Sequence, residues 1–144
     1  MVDTINLDRF DDLATSQEEG KEFDLLDEMG KPIGLKLTLV GPDSTRTRKA
    51  MKDTAKEFSK LAEERALSGK ETPEEEERER TAAFLARITT GWAPNPSIAG
   101  KAVPFTEENA RTFYRRYRIF AEQAEAIAVR RGPFVKSSSA GSAS

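Results

Sequence analysis

The stretch that most restricts the fold is LKLTLV at residues 35–40. Leu35, Leu37 and Leu39 alternate with Lys36 and Thr38, the period of a strand with one apolar face. EFDLLD precedes it as a second short apolar run, and MGKPIG between them supplies Gly30, Pro32 and Gly34, so the chain must turn. The pattern predicts a β-hairpin within residues 23–40, with a loop longer than two residues. A lone hairpin is marginal in water, so the leucine face requires cover from helices or from another sheet.

The rest of the chain supplies helices. GPDS ends the strand, and Asp43 or Ser44 can accept a bond from a free amide of a first turn, which predicts a helix near 44–68. Met51, Ala55, Phe58 and Ala62 mark its apolar stripe, with Leu61 beside them, and Gly69 suits its C-cap. A second helix is expected near 73–90. Thr72 caps it, Pro73 takes the first position and Glu75 lies three residues past the cap. Leu85, Ile88 and Trp92 form its stripe, Ala82 and Phe84 flank them, and Thr89, Thr90 and Gly91 close it. A third is expected near 106–131. Thr106 caps it, Asn109 stands where a capping box has an acid, and Phe105 can staple onto Ala110. Phe113, Tyr117, Phe120, Ala124 and Ile127 then step by four and three before Gly132-Pro133 ends the helix.

The expected architecture is α+β and mostly helical, an N-terminal hairpin packed on about three helices in a single domain over 21–133. Residues 1–20 read as an acidic, mostly irregular and flexible arm with scattered Ile5, Leu7, Phe10 and Leu13. Residues 134–144 read as a disordered Ser-rich tail.

Chemistry is narrowed by what is missing. The chain has no cysteine and no histidine, which removes disulfides, thiolate metal sites and the Ser-His-Asp and Cys-His arrangements. No Gly-rich phosphate loop is present. No catalytic residue, cofactor site or metal site is expected. The Glu74–Glu77 run suits a helix N-terminus, where negative charge is favoured, and adjacent helical positions do not converge on one ion. No apolar run reaches the roughly 20 residues that span a bilayer, and the acidic N-terminus has no signal-peptide layout. Charge is segregated: residues 1–30 carry two bases and ten acids (2 − 10 = −8), and residues 31–70 carry ten bases and five acids (10 − 5 = +5). Differing solvated faces explain this, as does an acidic arm that folds back on the body or docks on a basic partner.

Two features offer a surface. The loop after Trp92, APNPSIAGKAVPF, is long and proline-rich. It reads as a stiff connector pinned by a buried Trp92 and by Phe105, presenting Asn95, Ser97 and Ile98. The second feature is the aromatic stripe of Phe113, Tyr117 and Phe120. With Trp92, these are the candidate partner-binding residues. RTFYRRYRIF also offers Arg111, Arg115, Arg116 and Arg118 with Tyr114 and Tyr117 for gripping phosphates and stacking on bases. The helical wheel separates the arginines from the aromatic face, which disfavours nucleic acid.

TGW at 90–92 together with GKAVPFTEENARTFYRRY up to Tyr117 resembles the tail assembly chaperones of long-tailed, siphophage-like bacteriophages. That family typically shows a Trp, a glycine-containing turn and an apolar-Pro-Phe-Thr/Ser-x-Glu-Asn signature. The hairpin followed by GPDS is a second, weaker match, and together they cover roughly residues 22–128. The chain departs from the pattern in its additional PNPSIA and in YRRYRIF, where members often carry a more apolar, Trp-containing segment. The resemblance implies a non-enzymatic protein of the host cytoplasm. Its partners would be the tape-measure protein, tail-tube subunits or both, with self-association possible. A structural virion component, such as a head–tail connector or tail-associated protein, and a nucleic-acid-binding regulator are the alternatives.

Overall fold

The computed structural model describes residues 4–69 and 73–135. Its elements run α1 (Asp8–Glu19), β1 (Lys21–Leu26), β2 (Pro32–Leu39), α2 (Thr45–Ser68), α3 (Pro73–Ile88), β3 (Thr89–Ala93), β4 (Ser97–Ile98), β5 (Lys101–Ala102), α4 (Glu107–Arg116) and α5 (Arg118–Ala128). A short 3-10 turn at Gly132–Phe134 follows. The protein is α+β and mostly helical.

The hairpin forms as its alternation requires. β1 and β2 pair antiparallel, with Phe23 opposite Leu37 and Lys21 opposite Leu39. Leu35, Leu37 and Leu39 are buried while Lys36 is exposed. The sheet is larger than a hairpin, however. Thr89–Ala93 adds a third antiparallel strand, giving the order β1-β2-β3 with Leu37 opposite Trp92. The two threonines that were expected to close α3 therefore begin a strand without any loop. β-branched and aromatic residues favour that conformation. Thr89 Oγ1 donates to the Leu85 carbonyl (2.7 Å), a last-turn acceptor of α3, and the Val40 amide bonds the Ile88 carbonyl (3.1 Å). The outer edge of β1 is covered in part by Gln123 of α5. Its side-chain amide accepts from the Leu26 N–H and donates to the Leu26 carbonyl (both 2.8 Å).

Helix α2 is capped by Ser44, whose hydroxyl accepts from the Thr47 amide (3.1 Å), and ends at Gly69 in the left-handed conformation, whose amide bonds the Arg65 carbonyl (2.6 Å). Its buried face is not the expected one. Thr47, Ala50, Thr54 and Phe58 face inward, and Met51, Ala55 and Leu61 are exposed. The threonines go in because each has a partner: Thr47 Oγ1 donates to the Gly41 carbonyl (2.8 Å), and Thr54 Oγ1 accepts from Arg87 (2.7 Å). The expected cap Thr72 lies outside the described residues. α3 is the central helix. Ala82, Ala83, Leu85, Ala86 and Ile88 are buried against the sheet and the other helices.

The expected single helix over 106–131 is two helices. α4 starts as predicted, with Thr106 accepting from the Asn109 amide (2.9 Å), while Asn109 donates to the Pro104 carbonyl (2.9 Å). It breaks at Tyr117, whose φ of −112° and ψ of 86° are not helical. The break redirects α5, so that Ala121, Ala124 and Ala128 join the core; their small side chains allow close approach.

The terminal boundaries also shift. The arm expected to be irregular over 1–20 contains α1, and its second half is fastened down. Gln17 is buried, accepts from the Asp43 amide (2.7 Å) and donates to the Asp43 carboxylate (3.1 Å). Its carbonyl accepts from the Gly41 amide (2.9 Å), and a Cβ at Gly41 would collide with the Gln17 side chain, so this contact needs glycine. Glu18 accepts from the amide and hydroxyl of Thr45 (2.9 and 3.0 Å), placing a carboxylate at the N-terminus of α2. Of the tail expected from 134 onward, Phe134 and Val135 are described, and Phe134 does not fit that expectation. Phe134 is buried and lies edge-on to Phe23 at 5.4 Å, and Ser16 donates to its carbonyl (2.5 Å). Residues 136–144 lie outside the described part.

Candidate partner-binding site

The loop after β3 is itself structured. β4 and β5 form a miniature hairpin with Ser97 opposite Ala102 and Ile98 opposite Lys101. Its two loop residues, Ala99 and Gly100, both have positive φ (52° and 83°), as a two-residue hairpin of matching twist requires. The Val103 amide bonds the Pro96 carbonyl (2.8 Å), and Trp92 Nε1–H donates to the Val103 carbonyl (3.2 Å), so the hairpin base is tied to Trp92.

Trp92 is 8% exposed and sits between Phe105, edge-on at 5.3 Å, and Phe113 at 5.2 Å. The expected pinning by Trp92 and Phe105 is therefore present, with Phe113 as the central ring. Phe113 also meets Tyr114, Tyr117 and Phe120, the last stacked in parallel at 5.6 Å. Tyr114 is buried and donates its hydroxyl to Thr89 Oγ1 (2.7 Å), since the Thr89 proton is committed to Leu85. Burial raises the Tyr114 phenol above its ordinary value, and the Thr89 bond offsets only part of that.

The seven candidate contacts thus divide. Asn95 and Ser97 are exposed, and Ile98, Tyr117 and Phe120 are half-buried on the core. Trp92 and Phe113 are core residues without a surface to offer, because aromatic packing and, for Trp92, the bond to Val103 hold them inside. They support from beneath the loop that carries Asn95 and Ser97.

On the far side of α3, charge does the joining. Glu57 of α2 accepts from Arg87 of α3 (2.7 Å) and from Arg111 of α4 (2.5 Å). Glu79 of α3 pairs with Arg111 (3.7 Å) and with Arg115. Phe58 is buried beneath this network, with the guanidinium groups of Arg80 and Arg111 at 5.5 and 6.0 Å from its ring centre. Burial works against the Glu57 carboxylate, but hydrogen bonds from Arg111 and Arg87 outweigh it and hold the carboxyl below its ordinary value. The arginines considered for nucleic acid are mostly engaged this way. Arg111 and Arg115 belong to the network, Arg118 pairs with Glu122 (3.1 Å), and Arg116 lies over the Tyr117 ring.

Among the described residues, no group of three or more acidic side chains is placed to hold a metal ion. No helix among them is long and apolar enough to cross a membrane. Compared with known proteins, the chain matches no protein-family model, no curated protein and no solved structure.

A surface that sequence reasoning missed lies beside the ionic network. A groove of about 480 Å³ runs over α3 between α2 and α5, lined with apolar area by Met51, Ala55, Phe84, Ala128 and Val129. Met51 is 58% exposed. Hydrophobic spacing placed Met51 and Ala55 inside. The signal that would have turned the helix the other way is the pair Thr47 and Thr54, seven residues apart on a rival stripe that shares Phe58.

Proposed function

We propose that this chain is a non-enzymatic tail assembly chaperone of a long-tailed bacteriophage. It acts in the host cytoplasm and binds the tape-measure protein, tail-tube subunits or both. The observation that carries this reading is the open apolar groove between α2 and α5 on a chain of which 33% of residues are charged. A charged exterior keeps such a protein in solution, and an apolar channel can cover the striped face of a helix that would otherwise aggregate. The TGW and VPFTEEN sequences support the same reading by resemblance.

A structural virion component is the second reading, and one feature favours it. Leu7, just before α1, and Phe10 in its first half are exposed beside Asp8, Asp11 and Asp12, an acidic amphipathic arm suited to a neighbouring subunit. Co-expression with the tape-measure and tail-tube proteins, followed by size measurement, tests the proposal. A soluble complex is expected, together with absence of the chain from purified particles. A fixed copy number in particles would establish the second reading instead. Failure to form any complex would remove the chaperone reading.

A further inference from the structure

The groove over α3 has two unlike walls. On one side stands α2, with Met51 and Ala55 facing the groove. Successive helical residues are turned by about 100°, which puts Arg48 and Lys52 next outward from Met51 and Ala55, away from the buried stripe. Both are exposed. Among the described residues Lys52 has no acidic partner, while Arg48 bonds the Asp43 carbonyl (3.3 Å) and lies close enough to the Asp43 carboxylate to help hold it ionised. On the other side, Glu77 and Thr81 of α3 and Glu125 of α5 line both this groove and a neighbouring polar pocket, so they form the ridge between the two. Neither carboxylate has an ion pair among the described residues.

The contrast with the rest of this face is informative. Glu57, Glu79, Arg87, Arg111 and Arg115 are all paired with one another across α2, α3 and α4. Along the groove, Lys52 beside one wall and Glu77 and Glu125 on the other stand without ion pairs, with Met51, Ala55, Phe84 and Val129 between them, while Arg80, which also lines the groove, pairs with Glu76 (3.4 Å).

We infer that this groove seats an amphipathic helix of the partner. Its apolar stripe lies on Phe84, Met51 and Val129, an acidic flank meets Arg48 and Lys52, and a basic flank meets Glu77 and Glu125. The inference rests on the chaperone reading for who the partner is, and on the groove alone for the chemistry recognised. A second copy of this chain fits less well, because opposing two α2 walls would bring Arg48 and Lys52 against their own copies. Turning a helix end for end exchanges its flanks, so the groove selects for mixed flanks and not for one chain direction.

The test uses labelled helical peptides that share one leucine stripe and differ only in flanks: one acidic and one basic, both acidic, or both basic. Fluorescence anisotropy with the full chain should show the mixed peptide binding about tenfold more tightly than either single-sign peptide. Met51→Glu should abolish that binding. The double variant Arg48→Glu, Lys52→Glu makes both walls acidic and should shift the preference to the both-basic peptide, with thermal melts confirming that each variant is folded. Equal binding of all three peptides, or an unchanged preference in the double variant, would overturn the inference. So would sedimentation showing a dimer that Met51→Glu dissociates, which assigns the groove to self-association. The two readings fail separately. A tape-measure complex that survives Met51→Glu removes the groove assignment and leaves the chaperone. Peptide selectivity without any tape-measure complex removes the chaperone and leaves the groove.

Discussion

Trp92 and Met51 are both large apolar residues on stripes that helical spacing marks for burial, and they end in opposite places. Trp92 is enclosed by Phe105 and Phe113 and bonded to Val103, whereas Met51 faces solvent on the wall of a groove. The regions around them are built differently. Around Trp92, six rings from β3, the following loop, α4 and the start of α5 fill the space, and apolar character decides what is inside. Between α2, α3 and α4 the joint is made by Glu57, Glu79 and three arginines, and threonines turn inward because they have partners. The second kind of joint leaves apolar residues of α2 free to meet something else.

The comparison is broken most severely on the aromatic side. Trp92→Ala should cost about 3–5 kcal/mol in a denaturant melt, as large-to-small core changes do, and Phe113→Ala should cost a similar amount. A wild-type melt for Trp92→Ala would mean that the ring is not part of the core. On the charged side the effect is smaller. Glu57→Gln leaves Arg87 and Arg111 without their shared carboxylate and should cost about 1–2 kcal/mol near neutral pH.

The pH dependence carries a sign. A carboxyl held below its ordinary value of 4.5 contributes stability above that value and loses it as the pH falls through the lowered folded value. The wild type should therefore lose stability below about pH 4.5 more steeply than Glu57→Gln does. Parallel acid curves for the two proteins would show that Glu57 is not held by its arginines.

Two smaller effects sharpen the contrast. Ala99 adopts a φ of 52° in the loop of the β4–β5 hairpin, where Asn is better tolerated, so Ala99→Asn should stabilise by about 0.5–1 kcal/mol. Met51→Glu, an apolar-to-charged change that the buried Trp92 and Phe113 positions would not tolerate, should change stability by no more than about 0.5 kcal/mol. Substitutions of Asn95 and Ser97 should be equally quiet in a melt, since both are exposed.

What was legible in the sequence follows the same division. The hairpin alternation, a cap at Asp43 or Ser44, the Thr106 cap, Gly69 and the burial of Trp92 all rest on local rules, and the structure follows them, with Ser44 as the cap. The β3 strand was hidden because TTGWA follows a helix without punctuation, and only its pairing with β2 makes it a strand. The break at Tyr117 was hidden because a four-and-three stripe runs straight through it. The arm was hidden because Gln17 docks through long-range bonds to Gly41 and Asp43, not through an apolar face. The groove was hidden because its residues satisfy a helical stripe that the threonine stripe displaces.

The most direct test of the account is binding of the tape-measure protein by the wild-type chain and by Met51→Glu, measured together with their melting curves. The account predicts a stable wild-type complex, loss of that complex in Met51→Glu, and melting curves that superimpose. Undiminished binding by a folded Met51→Glu variant would contradict it and would move the contact to the Asn95–Ile98 loop or to α1.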